Sequence, residues 1–152
     1  MECEINPIGK WISILYRQSQ SYIAGQIKPY HIGSGQYTFL LALYQKDGIS
    51  QEELSKLLMM DKGTTARAIA KLEKTGYVVR KMDPHDKRAY NLFITDKARA
   101  IKPILCQVLS SWINMLIENL EQEEQECIEN ILKKMVISAI DYNQSTDHNA
   151  EL

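Results

Sequence analysis

Thr64, Arg67, Ala68 and Lys71 recur at helical spacing, and a compact Asp86-Lys87-Arg88 follows them. On a helix the first four share one face. A face of hydroxyl, methyl and cationic groups suits the major groove of DNA. There Arg and Lys donate to guanine, and Thr meets a base edge or a thymine methyl. Lys62 and Thr65 stand at the start of the same segment, where backbone N–H groups and a cation can together hold a phosphate. Lys81 and Lys87 are further phosphate candidates, and Arg88 is the candidate for the tip of a protruding turn. A solvated amphipathic helix carries similar residues, so the flanking elements must separate the two readings.

Those elements are legible. Asp61 is placed to cap the helix by accepting first-turn N–H groups, and Gly76 to end it in the left-handed conformation. Ala66, Ile69, Ala70 and Leu72 are its expected apolar back. Upstream, Ser50-Gln51-Glu52-Glu53 is a capping box that opens a short helix with Leu54, Leu57 and Leu58 on one side. Met59-Met60 makes the tight connection. Downstream, residues 78–82 and 89–94 read as strands, with Tyr90, Leu92 and Ile94 on one face at period two. Asp83-Pro84 opens a charged turn between them. Helix, turn, second helix and hairpin make a winged helix-turn-helix.

This stretch resembles the MarR (multiple antibiotic resistance regulator) family of transcription regulators. The matching residues are Asp61, Gly63, Thr64, Arg67, Leu72, Glu73, Gly76 and Arg80, then Asp83, Asp86, Arg88, Leu92 and Thr95. Asp86-x-Arg88 before a strand and Thr95 is the most specific of them. The element order fits from about residue 7 to about residue 142. The resemblance implies a mainly α fold with a small β-hairpin wing, and a helical dimerisation region built from N- and C-terminal helices. It implies a homodimer on double-stranded DNA, reading a pseudo-palindromic operator and repressing by blocking polymerase. It places Arg88 in the minor groove, held by an ion pair with Asp86. On an extended strand the two side chains would point the same way.

The whole-chain totals are ordinary: 152 residues, 45% hydrophobic, 24% charged, net charge −1. The distribution is not. Residues 62–90 hold eight cations and three anions, whereas residues 118–152 hold nine acidic residues and two lysines. A basic middle facing phosphate and an acidic end facing solvent fit that layout. Three scattered cysteines, Cys3, Cys106 and Cys127, suit neither a disulfide framework nor a zinc ribbon. The acidic start is unlike a signal peptide, and no uninterrupted apolar run approaches ~18 residues. The expectation is a cytoplasmic protein with reduced thiols and no membrane partner. No nucleophile elbow, phosphate-binding glycine loop, metal motif or paired carboxylates appears, so neither an enzyme nor a cofactor is expected.

The remaining segments supply scaffold. Asn6-Pro7 starts a helix whose stripe is Ile8, Trp11, Ile12, Leu15, Tyr16, Tyr22, Ile23 and Ile27, ending before Pro29. Ser34 is a cap for a helix striped with Tyr37, Leu40, Leu41 and Tyr44. Thr95-Asp96 starts a long helix bent at Pro103, with Ile101, Leu105, Val108, Leu109, Trp112, Ile113 and Leu116 along it. An acidic break at 120–126 precedes a last stripe through Ile128, Ile131, Leu132, Met135, Val136 and Ile140. The expected divisions are 1–32 for dimerisation helix and linker, 33–95 for the winged domain, 96–143 for C-terminal dimerisation helices, and 144–152 for a polar, frayed tail. Relatives of this kind bind small aromatic or phenolic anions, for which Arg17 would be the anion partner and Trp11, Tyr16 and Tyr37 the walls. Two alternatives stay open: a dimeric interaction protein without DNA binding, and a thiol-based redox-sensing regulator. Buried or idle thiols are the expectation, since no cation is placed beside them. His31, His85 and His148 show no metal-ligand spacing.

Overall fold

The computed structural model describes residues 7–149, so the Asn6 cap and Cys3 lie outside the described residues. The chain divides after Trp112 into two compact units. The first contains α1 (Pro7–Ile27), a 3-10 turn (Lys28–Tyr30), α2 (Tyr37–Gln45), β1 (Ile49–Ser50), α3 (Gln51–Leu58), α4 (Lys62–Lys74), β2 (Val78–Met82) and β3 (Tyr90–Ile94). It also holds most of α5 (Asp96–Ile117). The second contains the end of α5 and α6 (Gln122–Asn149).

The first unit is helices around a three-stranded antiparallel sheet of order β1-β3-β2. β1 was not expected. Two residues are too short for a period-two pattern, and Ile49 and Ser50 become a strand only by pairing with Leu92 and Asn91. Gly48 enables that pairing: its φ of +76° suits glycine, and its N–H donates to the Leu92 carbonyl at 2.9 Å. Phe39, Leu40, Leu43, Leu54, Ile69, Leu72 and Leu92 form a fully buried centre. Two tyrosines tie distant segments with their hydroxyls, as buried tyrosines generally must. Tyr44 donates to the Ala98 carbonyl and Tyr77 to the Tyr30 carbonyl, both at 2.6 Å.

Several local expectations shift. α2 begins at Tyr37 with Gln36, not Ser34, at its N-cap; the Gln36 side chain is occupied in accepting the Gly33 N–H at 3.0 Å. Phe39 and Leu43 are fully buried, whereas Leu41 and Tyr44 of the expected stripe are half-buried, because neighbours surround this helix. α1 ends at Ile27, as Pro29 requires, and Ile23 and Ile27 enter the core. Ile8, Trp11, Ile12, Leu15 and Tyr16 of the same stripe are exposed.

The hydroxyl of Thr95 caps α5 by accepting the Ala98 N–H at 3.2 Å, and the helix continues through Pro103. Among the described residues, α5 is long and apolar enough to cross a membrane by length and composition. Its Ala98, Ile101, Leu105 and Trp112 are buried, while its other residues are exposed or half-buried. A test based on uninterrupted apolar runs does not single it out. In the second unit, the break between helices falls within the acidic stretch, where Glu121 N–H donates to the Glu124 carboxylate at 2.9 Å. α6 then runs to Asn149, into the range expected to be a frayed tail. No glycine or proline between 122 and 149 interrupts it.

Candidate nucleic-acid interface

α4 is defined at both ends by its own sequence. Asp61 accepts the Thr64 N–H at 2.8 Å, and hydrogen bonds from the Thr64 side chain and backbone hold its carboxyl below the usual range. At the other end Gly76 has φ +79°; its N–H donates to Glu73 and that of Tyr77 to Leu72, a Schellman closure.

The rotation of α4 differs from expectation. Its buried face is Thr65, Ala68, Ile69 and Leu72. The Thr65 side chain, a phosphate candidate, is wholly buried, 3.2 Å from the Ser55 hydroxyl and 3.0 Å from the Asp61 carbonyl, and so is absent from the outer face. Ala68, expected on the outer face, is also buried, while Ala70 of the expected apolar back is exposed. Alanine and threonine carry too little hydrophobic contrast to set a helix's phase, so the packing of α3 on α4 sets it. α3 shows why. The Ser50 capping box forms with both its bonds, 2.9 and 3.1 Å. Leu54 and Ser55 then point inward and Leu57 outward, against the expected leucine side. Ser55 donates to the Met60 carbonyl at 2.6 Å, tightening a connection in which Met59 is left-handed at φ +51°.

Thr64, Arg67 and Lys71 remain together on the outer side. With Ala70, Lys74, Gln36 and Gly35 they line an open groove of about 600 Å³, bordered also by Ala68. Arg67 donates to the Thr64 hydroxyl at 3.0 Å. Lys62 is exposed at the helix start, 4.0 Å from Glu52. Ala70 and Lys74 were not assigned to this face in advance; both follow Arg67 at helical spacing once the phase is known.

The wing is joined to α4 and α3 by Arg80, which donates to Glu73 at 2.9 Å and to Gln51 at 2.8 Å. Lys81 lies 5.0 Å from the centre of the Phe93 ring. Lys87 and Arg88 are exposed. Asp86 does not pair with the Arg88 guanidinium. Its carboxylate accepts the Arg88 backbone N–H at 2.9 Å, because residues 83–89 form turns rather than an extended strand. Asp83 accepts the N–H groups of His85 and Asp86 and the side-chain amide of Asn91; the His85 bond contributes most to holding its carboxyl below the usual range.

Of the four proposed effector residues, Tyr37 has its phenol pushed up, first by burial and then by Tyr16, which lies near enough to add to the effect. Trp11, Tyr16 and Arg17 are exposed on α1, whereas Tyr37 is buried, with Gln20 donating to its hydroxyl at 3.4 Å. A cavity of about 230 Å³ beside α1 is lined by other residues, including Tyr22, Gln26, Gln107 and Ser111. Cys106 and Cys127 are exposed, so of the expected buried or idle thiols neither of these two is buried. Among the described residues no cluster of three metal-ligating side chains occurs.

Comparison with known proteins places this geometry. A profile described as the MarR family matches residues 32–90. The uncharacterized HTH-type transcriptional regulator YybA of Bacillus subtilis is 30% identical over 131 residues, covering 86% of this chain and 87% of that protein. The crystal structure of a MarR transcriptional regulator from Methanosarcina mazei Go1 superposes with TM-score 0.82 at 46% identity, over 88% of this chain and 96% of the other. A MarR family regulator from Listeria monocytogenes, solved in complex with 26mer DNA, superposes with TM-score 0.83 at 26% identity, over 90% and 91%.

Proposed function

Because the chain belongs to the MarR family of DNA-binding transcription regulators rather than to an enzyme family, we propose that it is a cytoplasmic, homodimeric repressor of a pseudo-palindromic operator. The observation that carries the reading is α4. Its core-facing side is wholly occupied, its ends are closed by its own residues, and Thr64, Arg67 and Lys71 share the side left open. These three enter the major groove, where Arg67 and Lys71 donate to base edges or phosphates. Lys62, Lys81 and Lys87 meet phosphates, and Arg88 reaches the minor groove from the wing. Thr65 and Ala68 hold the helix rather than touch DNA.

The dimer reading is supported by two stripes of exposed apolar side chains among the described residues. Ile8, Trp11, Ile12, Leu15 and Tyr16 form one on α1, and Ile128, Ile131, Leu132 and Val136 another on α6. Faces of that extent mark interaction surfaces, and a second copy satisfies both at once by two-fold symmetry. Half-sites then lie about one helical turn, ~10 bp, apart. Release by a small aromatic anion fits only a site completed by that second copy, since Trp11, Tyr16 and Arg17 lie on the exposed side of α1.

The test is fluorescence anisotropy on a labelled duplex from upstream of the coding region, across a salt series. Wild type binds tightly with a steep salt slope, and Arg67→Ala weakens it by about tenfold or more. Failure of wild type to bind that duplex or random duplexes at low salt overturns the reading in favour of an interaction protein. Sedimentation equilibrium of Leu132→Glu tests the dimer; a dimeric variant identical to wild type removes α6 from the interface.

A further inference from the structure

We infer that Asp83 is a positioning residue of the wing, holding the turn that presents Arg88; this rests on the reading of Arg88 as a DNA contact. The connection runs from the sheet outward in single steps. Asn91 on β3 is half-buried and donates its side-chain amide to one Asp83 oxygen at 2.9 Å. The other Asp83 oxygen accepts the N–H of His85 at 2.7 Å and of Asp86 at 3.2 Å. Asp86 in turn accepts the Arg88 N–H with its carboxylate and the Ala89 N–H with its carbonyl, both at 2.9 Å. The Asp83 N–H closes the base of the turn on the Ala89 carbonyl at 2.9 Å. Pro84 has no N–H and a fixed φ, so His85 supplies the first amide the carboxylate can take.

Two further facts favour positioning. None of residues 81–91 is buried, so no apolar core orders this turn and its shape rests on these bonds. The charge of Asp83 also opposes approach to a polyanion. Removing an anion from a DNA-facing surface strengthens attraction to phosphate when charge alone acts. Charge and positioning therefore predict opposite signs for the same substitution.

The experiment is a double-mutant cycle of Asp83→Ala and Arg88→Ala, read by anisotropy on the duplex bound by wild type. Arg88→Ala is expected to weaken binding by about tenfold. Asp83→Ala is expected to weaken it by about threefold or more, and to add nothing in the Arg88→Ala background. Amide hydrogen exchange of Asp86 and Arg88 in the free protein should accelerate in Asp83→Ala while exchange in α4 stays slow. Asn91→Ala should act in the same direction, and it keeps the test available if Asp83→Ala folds poorly. Unchanged or tighter binding by Asp83→Ala overturns the inference, as does an equal loss in both backgrounds. If Arg88→Ala binds like wild type, the Arg88 contact itself fails, and the inference falls with it on a separate and identifiable arm.

Discussion

The hydroxyl of Thr65 on α4 lies 3.2 Å from the hydroxyl of Ser55 on α3, with both side chains buried. Ser55 spends its own proton on the Met60 carbonyl, so the single Thr65 proton is shared between the Ser55 hydroxyl and the Asp61 carbonyl 3.0 Å away. Two helices and the turn between them are thus coupled through one buried hydroxyl pair. Thr65→Val keeps the shape and removes the donor. It should cost about 1 kcal/mol in urea unfolding, while the DNA affinity of the folded protein stays within about twofold. A selective loss of salt-sensitive DNA binding would instead make Thr65 a phosphate contact.

Gly48 and Gly76 both have positive φ, but their surroundings differ. A Cβ on Gly48 would lie 2.9 Å from the Phe93 ring, whereas one on Gly76 would meet only the flexible Lys97 side chain at 3.9 Å. Gly76→Ala should cost about 1–2 kcal/mol, from the left-handed backbone alone. Gly48→Ala should cost more, about 2–4 kcal/mol, since the ring must also move. Equal losses in chemical denaturation would show that Phe93 yields freely.

Arg80 links the wing to both helices of the helix-turn-helix through Glu73 and Gln51. Arg80→Lys keeps the charge but cannot hold both partners, because the ammonium lacks the guanidinium's fork. The Arg80–Glu73 pair is partly exposed, so a cycle with Glu73→Gln should give a modest coupling of about 0.5–1 kcal/mol. Zero coupling would reduce the contact to a surface encounter.

Tyr44 has its phenol pushed up to about 12, first by burial and then by the neighbouring Cys106 and Tyr77. The folded state therefore keeps this proton more firmly than the unfolded chain, whose tyrosines titrate near 10. The associated stability is full below pH ~10 and is lost as pH rises towards 12. Thermal melting followed from pH 9 to 12 should show a decline that is shallower in Tyr44→Phe. Identical slopes would assign the alkaline loss to other groups.

The local features were legible because their causes lie within a few residues. The Ser50–Glu53 capping box, the Asp61 cap, the Gly76 closure, the strands at 78–82 and 90–94 and the stop before Pro29 each follow from one turn of chain and its side chains. The same proximity made the Asp86-x-Arg88 segment recognisable, and with it the family.

What was not legible depended on neighbours far along the chain. β1 exists through Leu92, some forty residues away. The side of α4 that meets the core carries Ile69 and Leu72, as their size requires, with Thr65 and Ala68 rather than Ala66 and Ala70 beside them, Thr65 meeting Ser55 of α3. Arg88 is held through its backbone by Asp86 and, beyond it, by Asp83 and Asn91: the expected turn forms, and within it the Asp86 carboxylate takes the Arg88 N–H instead of the guanidinium expected as its partner. Periodicity reports how much apolar surface a helix carries. The direction of a weakly amphipathic helix, and the route of a hydrogen-bond chain across a hairpin, are fixed only when the packed partners compete for the same atoms.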